Sequence, residues 1–342
     1  MGIHLCGRSI ISNIVREDNI GITRTSVLRL RDILLRMIKT YTSRNLSWID
    51  MESPTSDDVS VLLKDHPLNP LVGEELLSPT RKSKIDVHDD YLFLVLHIPV
   101  RVQNGKGKSI QEKEIDFVIG EDFIVTSHYG VVEPLHTYAK TFETNSILEK
   151  KQVGNHAGII FYYIMKHIYG EMMHDLENIK DSLTDAEKNI FQGQERTMVQ
   201  ALSLLSREII DYKQTVRMHK EVLESFSDIP KGFFDKDFAH FLEDMRDTYA
   251  SIHDSILSNK ELLTDLRETN DSLLSTKQNE HMKLFSILAF VTFPLSLLVS
   301  LFALPTSHTP IIGRPFDWEI IALGVLTLAL IMYAYFKEKG WL

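Results

Sequence analysis

The sequence has one cysteine, Cys6, among 342 residues. No disulfide can close within the chain, and no thiolate zinc site is available. That fits a reducing compartment for the soluble part. Positive charge is not in excess either: 37 Lys and Arg stand against 47 Asp and Glu, a formal net charge of −10. A nucleic-acid partner would need a basic face and is not expected, whereas an acidic surface suits cations. No phosphate loop, nucleophile–base set or redox motif is present, so enzyme activity is not expected. Residues 1–36 lack a continuous apolar core and carry arginines throughout, unlike a signal peptide. They read as a loosely attached extension, with Met37 an alternative start.

Long uncharged runs are confined to the C-terminal end. Leu284 to Leu304 is 21 residues without charge, enough for ~30 Å of hydrocarbon at ~1.5 Å per residue. Ile320 to Phe336 adds 17 more. Pro294 is tolerable inside a membrane helix, where neighbours re-satisfy the backbone. Lys283 precedes the first run, and Lys337 and Lys339 follow the second, while the connecting loop holds Arg314 against Asp317 and Glu319. The positive-inside rule puts both chain ends in the cytoplasm and the loop outside, with Trp318, Tyr333 and Tyr335 as interface anchors. Membrane lipid is therefore an expected partner.

Between these features the chain divides by pattern. Residues 1–44 form the extension and 45–155 an α/β domain. Residues 156–232 form a helical hairpin region. Residues 233–304 read as a long stalk helix continuing into the first span at about 284–304. An external loop follows at 305–318, a second span at 319–336 and a basic tail at 337–342. Within the α/β domain, Tyr91 to Val100, Lys113 to Gly120 and Asp122 to Gly130 read as consecutive strands of a mainly antiparallel sheet. Asn104 to Ser109 reads as a loop between the first two. Ser56 is a candidate helix cap, and Asn69 to Leu77 a second short helix. The stalk has no Gly or Pro until Pro294, over 50 residues or ~75 Å if straight. A helix this long must pack on copies of itself or on other helices.

Two faces of the stalk can be separated. Ile256, Asn259, Leu263, Leu266, Asn270 and Leu273 follow heptad-like spacing and read as a packing face. Glu268, Ser272, Ser275, Asn279, Met282 and Ser286 recur every three or four residues. The same seam continues through Ala289, Phe293, Ser296, Ser300 and Ala303. Small polar residues in membrane helices can simply let backbones approach closely. A polar seam running from stalk to mid-membrane instead suits a water-filled path for hydrated hard cations. Met282 and Phe293 would be its apolar constrictions. With only two spans per chain, such a path needs a closed cyclic oligomer.

These residues resemble the CorA family of divalent-cation channels. The resemblance is carried by Trp48 to Pro54 (WIDMESP), Leu68 to Leu96, Lys277 to Lys283 (KQNEHMK), Phe293 to Ser296 (FPLS) and Tyr335 to Leu342 (YFKEKGWL). It implies a funnel-shaped homopentamer with a cytoplasmic αβα domain and a pore lined by the first span. It also implies passive conduction of Mg²⁺, with Co²⁺ and Ni²⁺ as further candidates, in a bacterial or archaeal plasma membrane. Asn279 and Met282 fall on pore-lining positions and Glu268 on an acidic one. Asp247, in Arg246 to Tyr249 (RDTY), matches an aspartate that joins a regulatory metal site between subunits. Cytoplasmic Mg²⁺ bound there would hold the pentamer closed.

The chain departs from the family at the outer mouth. Where the signature Gly-Met-Asn is expected, aligning from Pro294, it has Ala303, Leu304 and Pro305. Leucine and proline offer no side-chain oxygen. Conduction of Zn²⁺ or another cation, and a membrane-anchored metal sensor that has lost transport, therefore stand as alternatives. In the outer loop, His308 is a candidate for softer ions, and Asp317 and Glu319 for attracting cations or capping the second span. His88, His97, His128 and His136 read as scattered surface histidines. Asp175, Glu177, Asp181, Asp185 and Glu187 read as a solvated helix face.

Overall fold

The structure, a computed structural model, describes residues 38–43, 45–104, 107–147, 156–230, 232–234, 238–304, 311–313 and 315–340. The extension before residue 38 lies outside them. The described chain divides into two units, residues up to 180 with 207–259, and 181–206 with 260–342.

The first unit is built on a six-stranded sheet. In chain order the strands are β1 (Ile38–Ser43), β2 (Leu46–Glu52), β3 (Lys84–Val87), β4 (Leu92–Asn104), β5 (Gly107–Ile119) and β6 (Phe123–His128). Their spatial order is β1-β2-β6-β5-β4-β3, antiparallel throughout except for the parallel pair β2·β6. The expected antiparallel run is therefore present with one parallel join. Of the loop expected at Asn104 to Ser109, Asn104 and Gly107 to Ser109 are strand instead, with Asn104 paired opposite Gly107, while residues 105 and 106 lie outside the described residues. Gly120 begins the next turn. A Cβ there would collide with the Phe123 ring, so the close approach requires glycine.

Helices cover both faces of the sheet, which explains why Leu92 to Leu96 is uninterruptedly apolar rather than alternating. On one side, α1 (Ser56–Asp65) and α2 (Pro70–Glu75) supply Val59, Leu62, Val72 and the adjoining Leu76 to a core with Met51, Phe93, Val95, Val118 and Val125. The cap of α1 is Thr55, one residue before the expected Ser56. Thr55 Oγ1 accepts from the Asp58 amide while Asp58 Oδ2 accepts from the Thr55 amide, a reciprocal box that Ser56 is not placed to form. On the other side, α3 (Glu133–Ile147) sets Phe142 edge-on to Trp48, and α4 (Gly158–Phe191) sets Phe161 edge-on to Phe117. α5 (Glu195–Val216), α6 (His219–Ser225) and α7 (Phe238–Phe302) follow.

The second unit contains the end of α4, the start of α5, α7 from Lys260 onward and α8 (Asp317–Glu338). Helices α7 and α8 are both long and apolar enough to cross a membrane. Lys283 Nζ donates to the Gly340 carbonyl at 3.1 Å, tying the start of the apolar run of α7 to the end of α8. This bond brings the charged ends of the two runs together.

Candidate ion path and regulatory carboxylate

Helix α7 carries most of the expected site, and burial separates its faces. Ile256, Asn259, Leu263, Leu266 and Asn270 are buried, with Leu273 half-buried. Asn259 Nδ2 donates to the Leu176 carbonyl of α4 at 3.0 Å. Glu268, Ser272, Ser275, Asn279, Ser286, Ala289, Ser296 and Ser300 are all exposed. Met282 and Phe293, the two expected constrictions, are 58% and 73% exposed. The seam is therefore left uncovered by the chain itself. So are apolar neighbours such as Phe285 and Leu288, so exposure alone does not distinguish a path from a lipid face.

Hydroxyl orientation adds a chemical distinction. Ser286 Oγ donates to the Met282 carbonyl at 2.9 Å, and Ser300 Oγ to the Ser296 carbonyl at 2.8 Å. Each hydroxyl gives its proton to its own helix and keeps oxygen lone pairs as acceptors. Oxygen acceptors fit hydrated Mg²⁺, which retains most of its water shell. Pro294, inside α7, has no N–H, so the Phe290 carbonyl lacks its usual helical donor.

α7 ends at Phe302. Ala303 and Leu304 follow exposed, the Ala303 amide still bonded to the Val299 and Ser300 carbonyls. Neither presents a side-chain oxygen. Pro305 and His308 lie outside the described residues. Asp317 is engaged at the start of α8: Oδ1 accepts from the Trp318 amide at 2.8 Å and Oδ2 from the Gly313 amide at 3.1 Å. Glu319 shares that first turn, where negative charge favours the helix dipole.

Asp247 sits among residues committed elsewhere. Asp244 Oδ2 accepts from Tyr162 Oη at 2.6 Å and Lys166 Nζ at 2.9 Å, which hold its carboxyl below the usual range. Arg246 Nη2 donates to the Leu223 carbonyl and Ser227 Oγ, at 2.8 and 2.7 Å. Tyr249 is buried. Asp247 is instead exposed, a hard oxygen donor able to supply one ligand to a water-rich Mg²⁺. Among the described residues, no group of three or more His, Cys, Asp or Glu is placed to hold a metal ion.

Two of the histidines expected at the surface are buried. His97 lies opposite Glu114 in the β4·β5 register, with Nε2 3.3 Å from Glu114 Oε2 and 2.9 Å from the Thr80 carbonyl. Burial alone would lower its pKa, but the hydrogen bond and charge of Glu114 outweigh that and raise it. His128 similarly meets Asp50 at 3.3 Å, and the net shift is again upward. Asp50 in turn accepts from Thr126 Oγ1 at 2.6 Å, and Thr126 Oγ1 accepts from Trp48 Nε1 at 2.9 Å. The WID segment is thus a hydrogen-bonded strap between β2 and β6. His88 and His136 are half-buried rather than fully exposed. Asp175 also departs from the expected solvated face: it accepts from Tyr212 Oη at 2.9 Å.

Asp116 is the polar group that the sequence reading passed over. It is fully buried, and neither carboxylate oxygen meets a donor. Burial first, then the charge of Glu114, pushes its pKa up to about 9, while Glu114 titrates below the usual range. Glu114 is held down against its own burial by His97 and by the Thr80 amide, which donates to both of its carboxylate oxygens. The available signal was Glu112, Glu114 and Asp116 at every second residue, acids repeating on one strand face.

The sequence model described as CorA-like Mg²⁺ transporter protein matches residues 43–338. A cobalt/magnesium transport protein CorA of Thermotoga maritima is 22% identical over 80% of this chain and 77% of that protein. A putative metal ion transporter, YfjQ, of Bacillus subtilis is 20% identical over 86% of this chain and 89% of its own length. Among solved structures, the CorA magnesium transporter of Methanocaldococcus jannaschii superposes with a TM-score of 0.75 at 16% identity. That match covers 87% of this chain and 92% of the other.

Proposed function

The chain belongs to the family of CorA-like Mg²⁺ transporter proteins, and on that premise we propose that it conducts hydrated divalent cations, Mg²⁺ first, through a homopentameric path lined by α7. The observation that carries this reading is the continuous polar seam left uncovered on α7, from Glu268 to Ser300. Glu268 would concentrate cations at the cytoplasmic end. The oxygens of Ser272, Ser275, Asn279, Ser286, Ser296 and Ser300 would contact the ion's water shell. Met282 and Phe293 would narrow the path. Co²⁺ and Ni²⁺ are further candidate cargoes, since relatives are described as cobalt/magnesium transport proteins.

Selectivity would differ from the family pattern. With Ala303, Leu304 and Pro305 in place of the signature, those three positions would offer no ring of side-chain oxygens to hold the ion. Ser300, one turn deeper, would be the outermost side-chain oxygen of the α7 seam. Control would come from the cytoplasm: Mg²⁺ at Asp247 would neutralise an acidic subunit boundary, and its loss would let like charges loosen the closed state.

The seam is tested by Asn279→Leu in purified protein reconstituted in liposomes. Its apolar side chain is expected to cut Mg²⁺ entry about tenfold or more, since it removes an oxygen and narrows the path. Unchanged entry would move the path off this face. The replaced signature specifically favours a second reading, a membrane-anchored metal sensor without transport. That reading predicts metal binding in the cytoplasmic domain with no flux of any divalent ion.

A further inference from the structure

A cavity of about 970 Å³ opens within the second unit, between the turn joining α4 to α5 and the part of α7 just before its uncharged run. That volume is in the range of pockets for organic ligands, ~300–1,000 Å³, and exceeds what an inorganic ion fills. Arg196 lines it from α5, and Lys277 and His281 from α7. The one acid among its lining residues is Glu195, which is buried and already met by Lys277 Nζ at 2.7 Å. Arg196 and His281 are exposed, so an approaching ligand meets a guanidinium and an imidazole ring rather than the carboxylate. This local sign runs against a chain with net charge −10. At the other end of the lining stands Phe285, 68% exposed, one residue into the run that begins at Leu284.

A cationic polar pocket that abuts an apolar membrane run is complementary to one ligand class. We infer that this cavity binds the phosphate headgroup of an anionic membrane lipid, with Arg196, His281 and Lys277 around the phosphate and Phe285 along the first methylenes. Basic groups beside the cytoplasmic end of a span attract such headgroups, each with a modest favourable increment. The site lies beside the proposed path and does not require conduction: a chain that transported nothing would bind the same lipid.

The test uses the full-length protein in nanodiscs of equal phosphatidylglycerol and phosphatidylcholine, with retained lipid identified by native mass spectrometry. Wild type is expected to retain phosphatidylglycerol preferentially. The double variant Arg196→Gln/His281→Gln is expected to lose about tenfold of that preference, and Arg196→Lys/His281→Lys to keep it. If the double glutamine variant fails to assemble, Arg196→Gln alone is read, with about a fivefold loss expected. No preference in wild type would overturn the inference, as would an unchanged preference in the glutamine variants. Displacement of the lipid by millimolar inorganic phosphate would assign the site to a free anion and overturn the lipid assignment.

Discussion

At the scale of single residues, the buried carboxyl of Asp116 makes the sharpest prediction. Its pKa stands at about 9, against ~3.9 for a free aspartate. Between those values the folded chain holds a proton that the unfolded chain has lost. The associated stability is complete below the lower value and falls as pH rises through the upper one. Asp116→Asn fixes the neutral form. The variant is expected to gain on wild type as pH rises from about 6 to about 9, by about 1–3 kcal/mol. Thermal unfolding followed by intrinsic fluorescence at several pH values measures this. A difference independent of pH would show that Asp116 is not the titrating group. His97 shifts upward too, so its contribution is full below ~6.5 and is likewise lost on the alkaline side. Both residues escaped the sequence reading for one reason. A polar residue on a strand reads as exposed unless its cross-strand neighbours are known, and the register that sets His97 against Glu114 is a tertiary fact.

At the scale of elements, the sequence was most legible where a pattern was long. The uninterrupted stalk and the two apolar runs correspond to α7 and α8, and the short turn after Gly120 separates β5 from β6. Short or mixed elements were missed. β1 is a polar edge strand, half of it exposed and none of it buried, with no clear apolar alternation to betray it. α3, EPLHTYAKTFETNSI, mixes Thr, His and Tyr around a weak apolar stripe, and its burial comes from Phe142 against Trp48. The parallel join of β2 to β6 spans more than seventy residues and leaves no local trace. For α7 the packing face was visible from spacing, and the buried Asn259 anchors it to α4. Asn259→Ala is expected to lower stability by about 1 kcal/mol, read as a fall in unfolding temperature. No fall would mean that the Leu176 contact contributes nothing.

At the scale of the whole molecule, the proposal joins a regulatory carboxylate to a conducting path. The sequence supplied both through family resemblance and spacing, but no motif places a partner ligand for Asp247. Asp247→Asn removes a negative charge from the proposed subunit boundary. Repulsion should fall and Mg²⁺ binding there should weaken together. Mg²⁺ should then protect the variant less from limited proteolysis than it protects wild type, with the protective concentration raised about tenfold or more. Equal protection would remove Asp247 from the metal site.

Conduction itself is tested most directly by Mg²⁺ entry into liposomes carrying the purified wild-type chain, followed with an entrapped Mg²⁺ indicator while Co²⁺, Ni²⁺ and Zn²⁺ are offered as competitors. The account predicts entry faster than into protein-free liposomes and slowed by Co²⁺ or Ni²⁺. Entry no faster than the protein-free rate, for Mg²⁺ and for every competitor offered alone, would contradict it.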